Sequence, residues 1–251
     1  VYYYQNVSLE ANSAEVTYNG KDQSVSGFTG APEGADFSDI TVGANGTDAD
    51  TYPAQFAEGT VGAVDKTEKY IIASVENGSL VIGKAEVTLK SADLSKKYDG
   101  TALENGDTAL ETESGFAEGE GATYEFTGSQ TLVGSSANAF AYTLNEGTKA
   151  DNYIITKNEG TLTVTNREEA DKYEITVTAN SATKTYDGTK KTASGVTGTT
   201  FANDKGARFT VEGLSASVSG TDAGEYVNEV SGTPVVKDAA GNDVTSQFKV
   251  K

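Results

Sequence analysis

The sequence predicts a mainly β protein made of three small β-rich domains in tandem, and three observations carry that expectation. First, a Tyr-Asx-Gly triplet follows an apolar-polar-apolar lead-in three times. Val7-Ser8-Leu9 precedes Tyr18-Asn19-Gly20, Val87-Thr88-Leu89 precedes Tyr98-Asp99-Gly100, and Ile175-Thr176-Val177 precedes Tyr186-Asp187-Gly188. A period of roughly 80 to 90 residues is that of a whole small domain, well above the roughly 20 to 50 of solenoid units. Second, polar and apolar residues alternate in short runs, as in strands buried on one face. Third, no window of about 11 residues has apolar positions at the spacing of an amphipathic helix. The copies are placed at 1–84, 85–168 and 169–251.

The first copy opens on Val7-Ser8-Leu9-Glu10, a half-buried strand, and Tyr18-Asn19-Gly20 follows as a turn. Asn or Asp before Gly suits a tight turn because both tolerate positive φ and Gly has no Cβ to clash. The words Ala11-Asn12-Ser13-Ala14 return as Ala179-Asn180-Ser181-Ala182. From Ser24 to Asp50, Gly, Ala, Asp and Thr dominate, which reads as short strands on long loops. Gly46 to Tyr52 has a counterpart in Gly220 to Tyr226, read as a turn delivering a strand whose Tyr faces inward. Tyr70-Ile71-Ile72, a turn at Glu76-Asn77-Gly78, and Ser79-Leu80-Val81-Ile82 are expected to close the copy as a hairpin.

The second copy repeats the plan through Tyr98-Asp99-Gly100 and Thr123-Tyr124-Glu125-Phe126-Thr127 to a closing hairpin over Asn152–Thr165. Thr alternating with Leu and Val in Thr161–Thr165 is the strongest strand signal in the chain. Asn166–Lys172 is charged and reads as an exposed linker with room for one helical turn. In the third copy Phe248 takes the place of Tyr70 and Tyr153, and no turn or last strand comes after it. This copy is expected either to be truncated at its C-terminal strand or to close differently. Phe116-Ala117-Glu118 and Phe201-Ala202-Asn203-Asp204 are candidates for single helical turns.

Only 36% of the 251 residues are apolar, and Trp, Met, Cys and His are absent, so each copy is expected to own a thin core. Nineteen basic against 37 acidic residues give a net charge of −18, which repels phosphate backbones and anionic membranes. No nucleic-acid partner is therefore expected. The lack of Cys excludes disulfides and thiolate sites, and the lack of His removes the commonest general base and zinc ligand. With no run of about 18 apolar residues, membrane insertion is not expected. Because the chain opens on Val1-Tyr2-Tyr3-Tyr4 without Met, it reads as a fragment cut from the soluble part of a larger protein. A monomer in solution is expected.

The order Tyr-Asp-Gly, then Gly-Ser-Gln at 128–130 or Gly-Thr-Asp at 220–222, then Asn152-Tyr153-Ile154-Ile155 leading to Gly160-Thr161-Leu162-Thr163-Val164-Thr165, resembles the YDG and MBG-type tandem repeats of bacterial cell-surface adhesins. The resemblance covers the whole chain, closest in copy two. Copy one departs by Asn19 in place of Asp, and copy three lacks the end of the pattern. It implies an extracellular, non-enzymatic stalk, with host glycan, mucin or surface protein as the alternative partner of the repeats themselves. It also implies a β-grasp-like fold with at most a short helical turn, whereas the missing amphipathic helix by itself favours an immunoglobulin-like β-sandwich.

The residue types offer little chemistry. The nine residues of the Tyr18, Tyr98 and Tyr186 triplets are expected to be structural: Tyr packs its ring, Asx accepts backbone N–H bonds, and Gly takes positive φ. The 37 acids offer accidental pairs for glycoside hydrolysis but no evident cleft, and Ser135-Ser136 has no His to activate it. Asp48 with Asp50, and Asp238 with Asp243, are weak calcium candidates that lack the full spacing of a calcium loop. Lys97 or Lys184 with Asn152 is a candidate isopeptide pair, and Tyr2-Tyr3-Tyr4 a candidate sugar-stacking cluster. No cofactor is expected.

Overall fold

A computed structural model of the chain describes residues 3–106 and 109–251. The protein is mainly β and built of many small sheets; the only helical pieces among the described residues are two 3-10 turns, Ala150–Asn152 and Thr245–Gln247. Phe116–Glu118 forms no helical turn, and Phe201 and Ala202 belong to a strand.

The first stretch holds β1 (Gln5–Ala11), β2 (Ala14–Thr17), β3 (Gln23–Ser26), β4 (Phe28–Thr29), β5 (Gly43–Gly46), β6 (Thr51–Ala54), β7 (Tyr70–Glu76) and β8 (Gly78–Gly83). β1 lies between β4 and β7, β8 lies between β2 and β6, and β3 pairs with β5. The second holds β9 (Ala85–Lys90), β10 (Leu94–Lys97), β11 (Leu103–Glu104), β12 (Thr112–Ser114), β13 (Ala122–Phe126), β14 (Ser129–Gln130), β15 (Gly134–Asn138), β16 (Phe140–Leu144), β17 (Tyr153–Asn158) and β18 (Gly160–Thr165). Here β9 lies between β12 and β17, and β18 between β10 and β15. The third holds β19 (Tyr173–Ile175), β20 (Thr178–Ala179), β21 (Lys191–Ser194), β22 (Val196–Thr197), β23 (Thr200–Ala202), β24 (Arg208–Gly220), β25 (Val230–Asp238) and β26 (Phe248–Val250). β24 joins β21, β23 and β25, and β19 pairs with β26.

Burial alternates where the sequence alternates. β1 buries Val7, Leu9 and Ala11, β9 buries Ala85, Val87 and Leu89, and β18 buries Leu162 and Val164. The closing hairpins, however, do not form. β7 runs parallel to β1 and β8 parallel to β2, just as β17 runs parallel to β9 and β18 to β10. A single residue, Asn77 or Glu159, carries the chain from one sheet to the other. Asn77 and Gly78 look like a turn in sequence but serve other ends. The Asn77 side chain accepts the Phe56 N–H at 3.1 Å, and a Cβ on Gly78 would fall 2.4 Å from the Asn12 carbonyl oxygen. Glycine is there for close approach, not for reversal.

The glycine-rich middle of the first stretch is tied down by Asp65, whose buried carboxylate accepts the N–H groups of Thr67 (3.1 Å), Lys69 (2.9 Å) and Tyr70 (2.8 Å) and the Thr67 hydroxyl. Burial alone would raise its pKa, but these donors outweigh it and hold the carboxyl well below the usual range. Tyr52 and Tyr226 do not face inward as expected. Each ring lies over a glycine, Gly46 or Gly220, and each hydroxyl donates to a carbonyl four residues back, of Asp48 (3.0 Å) or Asp222 (3.2 Å).

The described residues group into two compact units. One comprises residues up to Ser91 with Ala109–Glu125 and Ala141–Asn158; the other comprises Phe126–Phe140, Glu159–Lys251 and the segment that starts at Ala92. The division passes through the middle stretch. The sheet of β9, β12 and β17 goes with the first unit, and that of β10, β15 and β18 with the second.

Gly30, Gly115 and Gly198 mark the same point in the three stretches, each at positive φ with a would-be Cβ about 2 Å from a carbonyl oxygen in or just after the first strand, of Ser8, Glu86 or Thr176 (2.1 Å, 1.9 Å and 2.2 Å). Gly119 also has positive φ but open space around it. Gly115→Ala is expected to cost about 3 kcal/mol or more and Gly119→Ala about 1 kcal/mol, read from urea denaturation midpoints.

Candidate functional site

The three triplets share one backbone. Gly20, Gly100 and Gly188 sit at φ of +76°, +75° and +75°. Asn19, Asp99 and Asp187 each accept the N–H two residues on, from Lys21, Thr101 and Thr189, all at 2.9 Å. This is an Asx turn, in which a short polar side chain replaces the backbone acceptor. The two acids add a cation: Lys96 donates to Asp99 at 2.7 Å, and Lys191 pairs with Asp187. Burial would raise the Asp99 pKa, but the Lys96 and Thr101 bonds prevail and lower it; Asp187 is lowered chiefly by Lys191.

The tyrosines separate the three. In the first triplet the Tyr18 N–H continues the β2–β8 ladder by donating to the Gly83 carbonyl at 2.8 Å. Its ring packs edge-on against Tyr153, 5.3 Å between centroids, and both hydroxyls donate to the Glu120 carboxylate. Gly20 lies against Ala117, whose Cβ would be 3.0 Å from an added Cβ. Beside it, buried Asn152 accepts the Ala49 N–H at 2.8 Å and donates to Asp48 at 3.0 Å. Tyr18 is thus docked on residues of the second stretch.

The second triplet docks on the third stretch in the same way. The Tyr98 N–H donates to Thr165 at 2.9 Å, and its ring meets Phe209 at 6.4 Å. An added Cβ on Gly100 would fall 2.6 Å from the Phe209 ring and 2.7 Å from Ala207. The Asp99 carbonyl accepts from Asn203 at 2.7 Å and the Tyr98 carbonyl from Arg167 at 2.9 Å, while buried Gln247 accepts the Arg167 N–H at 2.8 Å. Arg167 also lies 4.1 Å over the Tyr173 ring. The charged junction at 166–172 is exposed at Asn166 and from Glu168 to Asp171, as expected, but Arg167 within it is half-buried and bonded on several sides.

The first copy has core clusters of its own, of Val7, Leu9, Phe37 and Ile72 and of Ala11, Val42 and Ala54, but the second and third share one. One apolar cluster joins Tyr98 and Val164 to Ile175, Val177, Phe209, Val211, Val236, Val244 and Phe248. The third triplet contrasts with both others: Tyr186 is 64% exposed, and nothing lies within 4 Å of a Cβ on Gly188.

Sequence reasoning picked out Tyr18, Tyr98 and Tyr186 but missed their receivers, Ala117, Glu120 and Asn152 in one case and Asn203, Ala207 and Gln247 in the other. The usable signal was an amide residue directly before an aromatic one, Asn152-Tyr153 and Gln247-Phe248, each at the end of a 3-10 turn.

The remaining candidates do not assemble a reactive centre. Among the described residues no three acidic side chains come together to hold a metal ion. Asp48 is engaged by Lys149 and Asn152, Asp50 by the Thr51 N–H at 2.7 Å, Asp238 by Ala240 and Asn242, and Asp243 by Thr245. Lys97 pairs with Asp171, so the lysine beside Asn152 is Lys149, both bonded to Asp48. Lys149 is exposed and Asp48 raises its pKa, which keeps it an ammonium and withholds the neutral amine that an isopeptide bond requires. Of the tyrosine cluster, Tyr2 lies outside the described residues and Tyr3 is exposed.

Substitution of the same motif residue should give three outcomes. Tyr98→Ala is expected to cost about 3–5 kcal/mol by emptying a core site. Tyr98→Phe should be neutral or stabilising by about 1 kcal/mol, because the buried hydroxyl has no hydrogen-bond partner. Tyr18→Phe should cost about 1.5 kcal/mol through the lost bond to Glu120, and Tyr186→Ala less than about 0.5 kcal/mol. Equilibrium denaturation of the four variants reads all of these.

Burial, with Glu120 adding to it at Tyr18 and Asp238 at Tyr98, pushes both phenols up to about 12. Because a folded-state pKa above the unfolded value of about 10 favours the protonated phenol, the stabilisation is whole below about pH 10 and is lost as pH rises toward 12. Thermal midpoints should fall across that window, less steeply for Tyr98→Phe. An intact mass equal to the sequence mass, with no ammonia lost, is expected at Lys149 and Asn152.

No protein-family model matches the chain, and no curated protein or solved structure matches it significantly.

Proposed function

We propose that the chain is a non-enzymatic spacer from an extracellular bacterial surface adhesin, three tandem units whose work is to hold a distal part away from the cell. The observation that carries this reading is the use made of the Tyr-Asx-Gly triplet. A residue set that could have formed a ligand site is spent twice on joining one unit to the next, through Tyr18 on Tyr153 and Tyr98 on Phe209. The junctions after Tyr18 and Tyr98 are closed by packed rings and buried amides, as suits a chain that bears load. The net charge of −18 adds mutual repulsion between neighbouring rows, and no helix of the described residues is long and apolar enough to cross a membrane.

The test is a binding screen with the 251-residue protein on arrays of host glycans and mucins, alongside glycoside hydrolysis assays. A spacer retains nothing and hydrolyses nothing. Saturable retention of one glycan class, lost on substitution of exposed tyrosines, would instead make the units themselves the binding modules.

A further inference from the structure

The sequence has four Asn-Gly pairs, Asn19-Gly20, Asn45-Gly46, Asn77-Gly78 and Asn105-Gly106. In such a pair the Gly backbone nitrogen can attack the Asn side-chain carbonyl, because no Cβ shields it and the chain turns freely at Gly. The fold treats the four differently. Gly46 and Gly78 are strand residues, opposite Gln23 and Ala54, and the ladders fix their backbone. The side chains of Asn77 and Asn105 are tied to distant groups, accepting the Phe56 N–H at 3.1 Å and the amide of buried Asn138 at 2.8 Å.

Asn19 differs on each count. It is exposed, and Gly20 lies beyond the end of β2 with its N–H in no hydrogen bond among the described residues. Asn19 Oδ1 accepts the Lys21 N–H at 2.9 Å, so the side chain curls back over the peptide that joins Asn19 to Gly20. That donor also faces the oxygen on which negative charge gathers when the carbonyl is attacked, and stabilises it there. The turns at Asp99 and Asp187 share this backbone but not the reactivity, since a carboxylate repels a nucleophile and has no ammonia to release.

We propose that Asn19-Gly20 is a self-modifying site, at which Asn19 turns into aspartate and isoaspartate, and that the change loosens the seat of Tyr18. The Gly20 nitrogen bonds to Cγ of Asn19 and gives its proton to water. The bond from Cγ to the side-chain nitrogen breaks, and that nitrogen takes up a proton and leaves as ammonia. Water then opens the resulting succinimide at either carbonyl. One opening gives aspartate in the original chain; the other leads the backbone through the former side chain, one carbon longer. In sum a water is consumed and an ammonia released, with no other reagent.

Neither product suits the place. Asp99 and Asp187 are paired with Lys96 and Lys191, three residues before and four residues after, and the matching positions beside Asn19 hold Val16 and Gln23. The new charge falls near the Glu120 carboxylate, which lies 3.4 Å from a Cβ built on Gly20 and receives the Tyr18 hydroxyl. The longer backbone of isoaspartate shifts Gly20 against Ala117, where an added Cβ already stands at 3.0 Å.

The experiment ages the intact protein at mildly alkaline pH and follows it by peptide mass mapping, an isoaspartate-specific methylation assay and thermal unfolding. Conversion at Asn19 at least about tenfold faster than at Asn45 and Asn77 is expected, because those glycines must first leave their strands. The thermal midpoint should fall by about 2–4 °C as Asn19 converts. Asn19→Ser keeps an acceptor for the Lys21 N–H but has no carbonyl to attack, and its midpoint should hold on ageing. In urea that unfolds the chain, the Asn-Gly pairs should convert at similar rates. An unchanged Asn19, conversion led by another Asn-Gly pair, a preference for Asn19 that persists in urea, a midpoint indifferent to conversion, or an equal fall in aged Asn19→Ser would each overturn the proposal.

Discussion

A chain with 36% apolar residues and no Trp or Met has little hydrophobic area to spend, so where its rings meet decides what is stable. Two of those meetings are made by the triplets. Tyr98 is completely buried against Phe209, in the same cluster as Val164, Ile175 and Val236, so the second stretch completes the interior of the third. The Tyr18 ring against Tyr153 does the corresponding work in the other compact unit, with Glu120 receiving both hydroxyls. Glycine after the Asx residue is part of this constraint, because at Gly100 any side chain would collide with the Phe209 ring. One triplet therefore sets a turn, ends a strand ladder and seats a neighbour.

Around these contacts, polar side chains do what hydrophobic area cannot. Asn152 and Gln247, both buried, accept backbone N–H groups from the preceding stretch, and Asp65 gathers a loop with too few large side chains to pack. Asn12 and Asn180 explain the words repeated between the first and third copies. Each donates to a carbonyl 14 residues on, of Ser26 at 2.9 Å or Ser194 at 3.1 Å, next to a glycine held at positive φ, Gly27 (+88°) or Gly195 (+96°).

Strands were legible in the sequence wherever one face is buried, because alternation reports burial directly; β1, β9 and β18 follow their patterns closely. Pairing was not legible in the same way. Ile72 and Leu80 look like two arms of a hairpin, since Asn77-Gly78 can make a turn, and nothing local reveals that each arm has a parallel partner more than 60 residues earlier, at Val7 or Ala14. The triplet was read correctly as a turn and incompletely as a site. Its backbone chemistry is local, but the ring of Tyr98 finds Phe209 at a separation that no short-range pattern encodes. Exposure of Tyr186 lay equally out of reach, because sequence presents it as equivalent to two buried residues.

In all three stretches the first strand is paired in parallel with a later one, β1 with β7, β9 with β17 and β19 with β26. Tension pulling the opening strand backward and the closing strand forward slides each pair along its length. The hydrogen bonds of the ladder then share the load and must fail together, whereas a hairpin pulled from its open end would unzip one rung at a time.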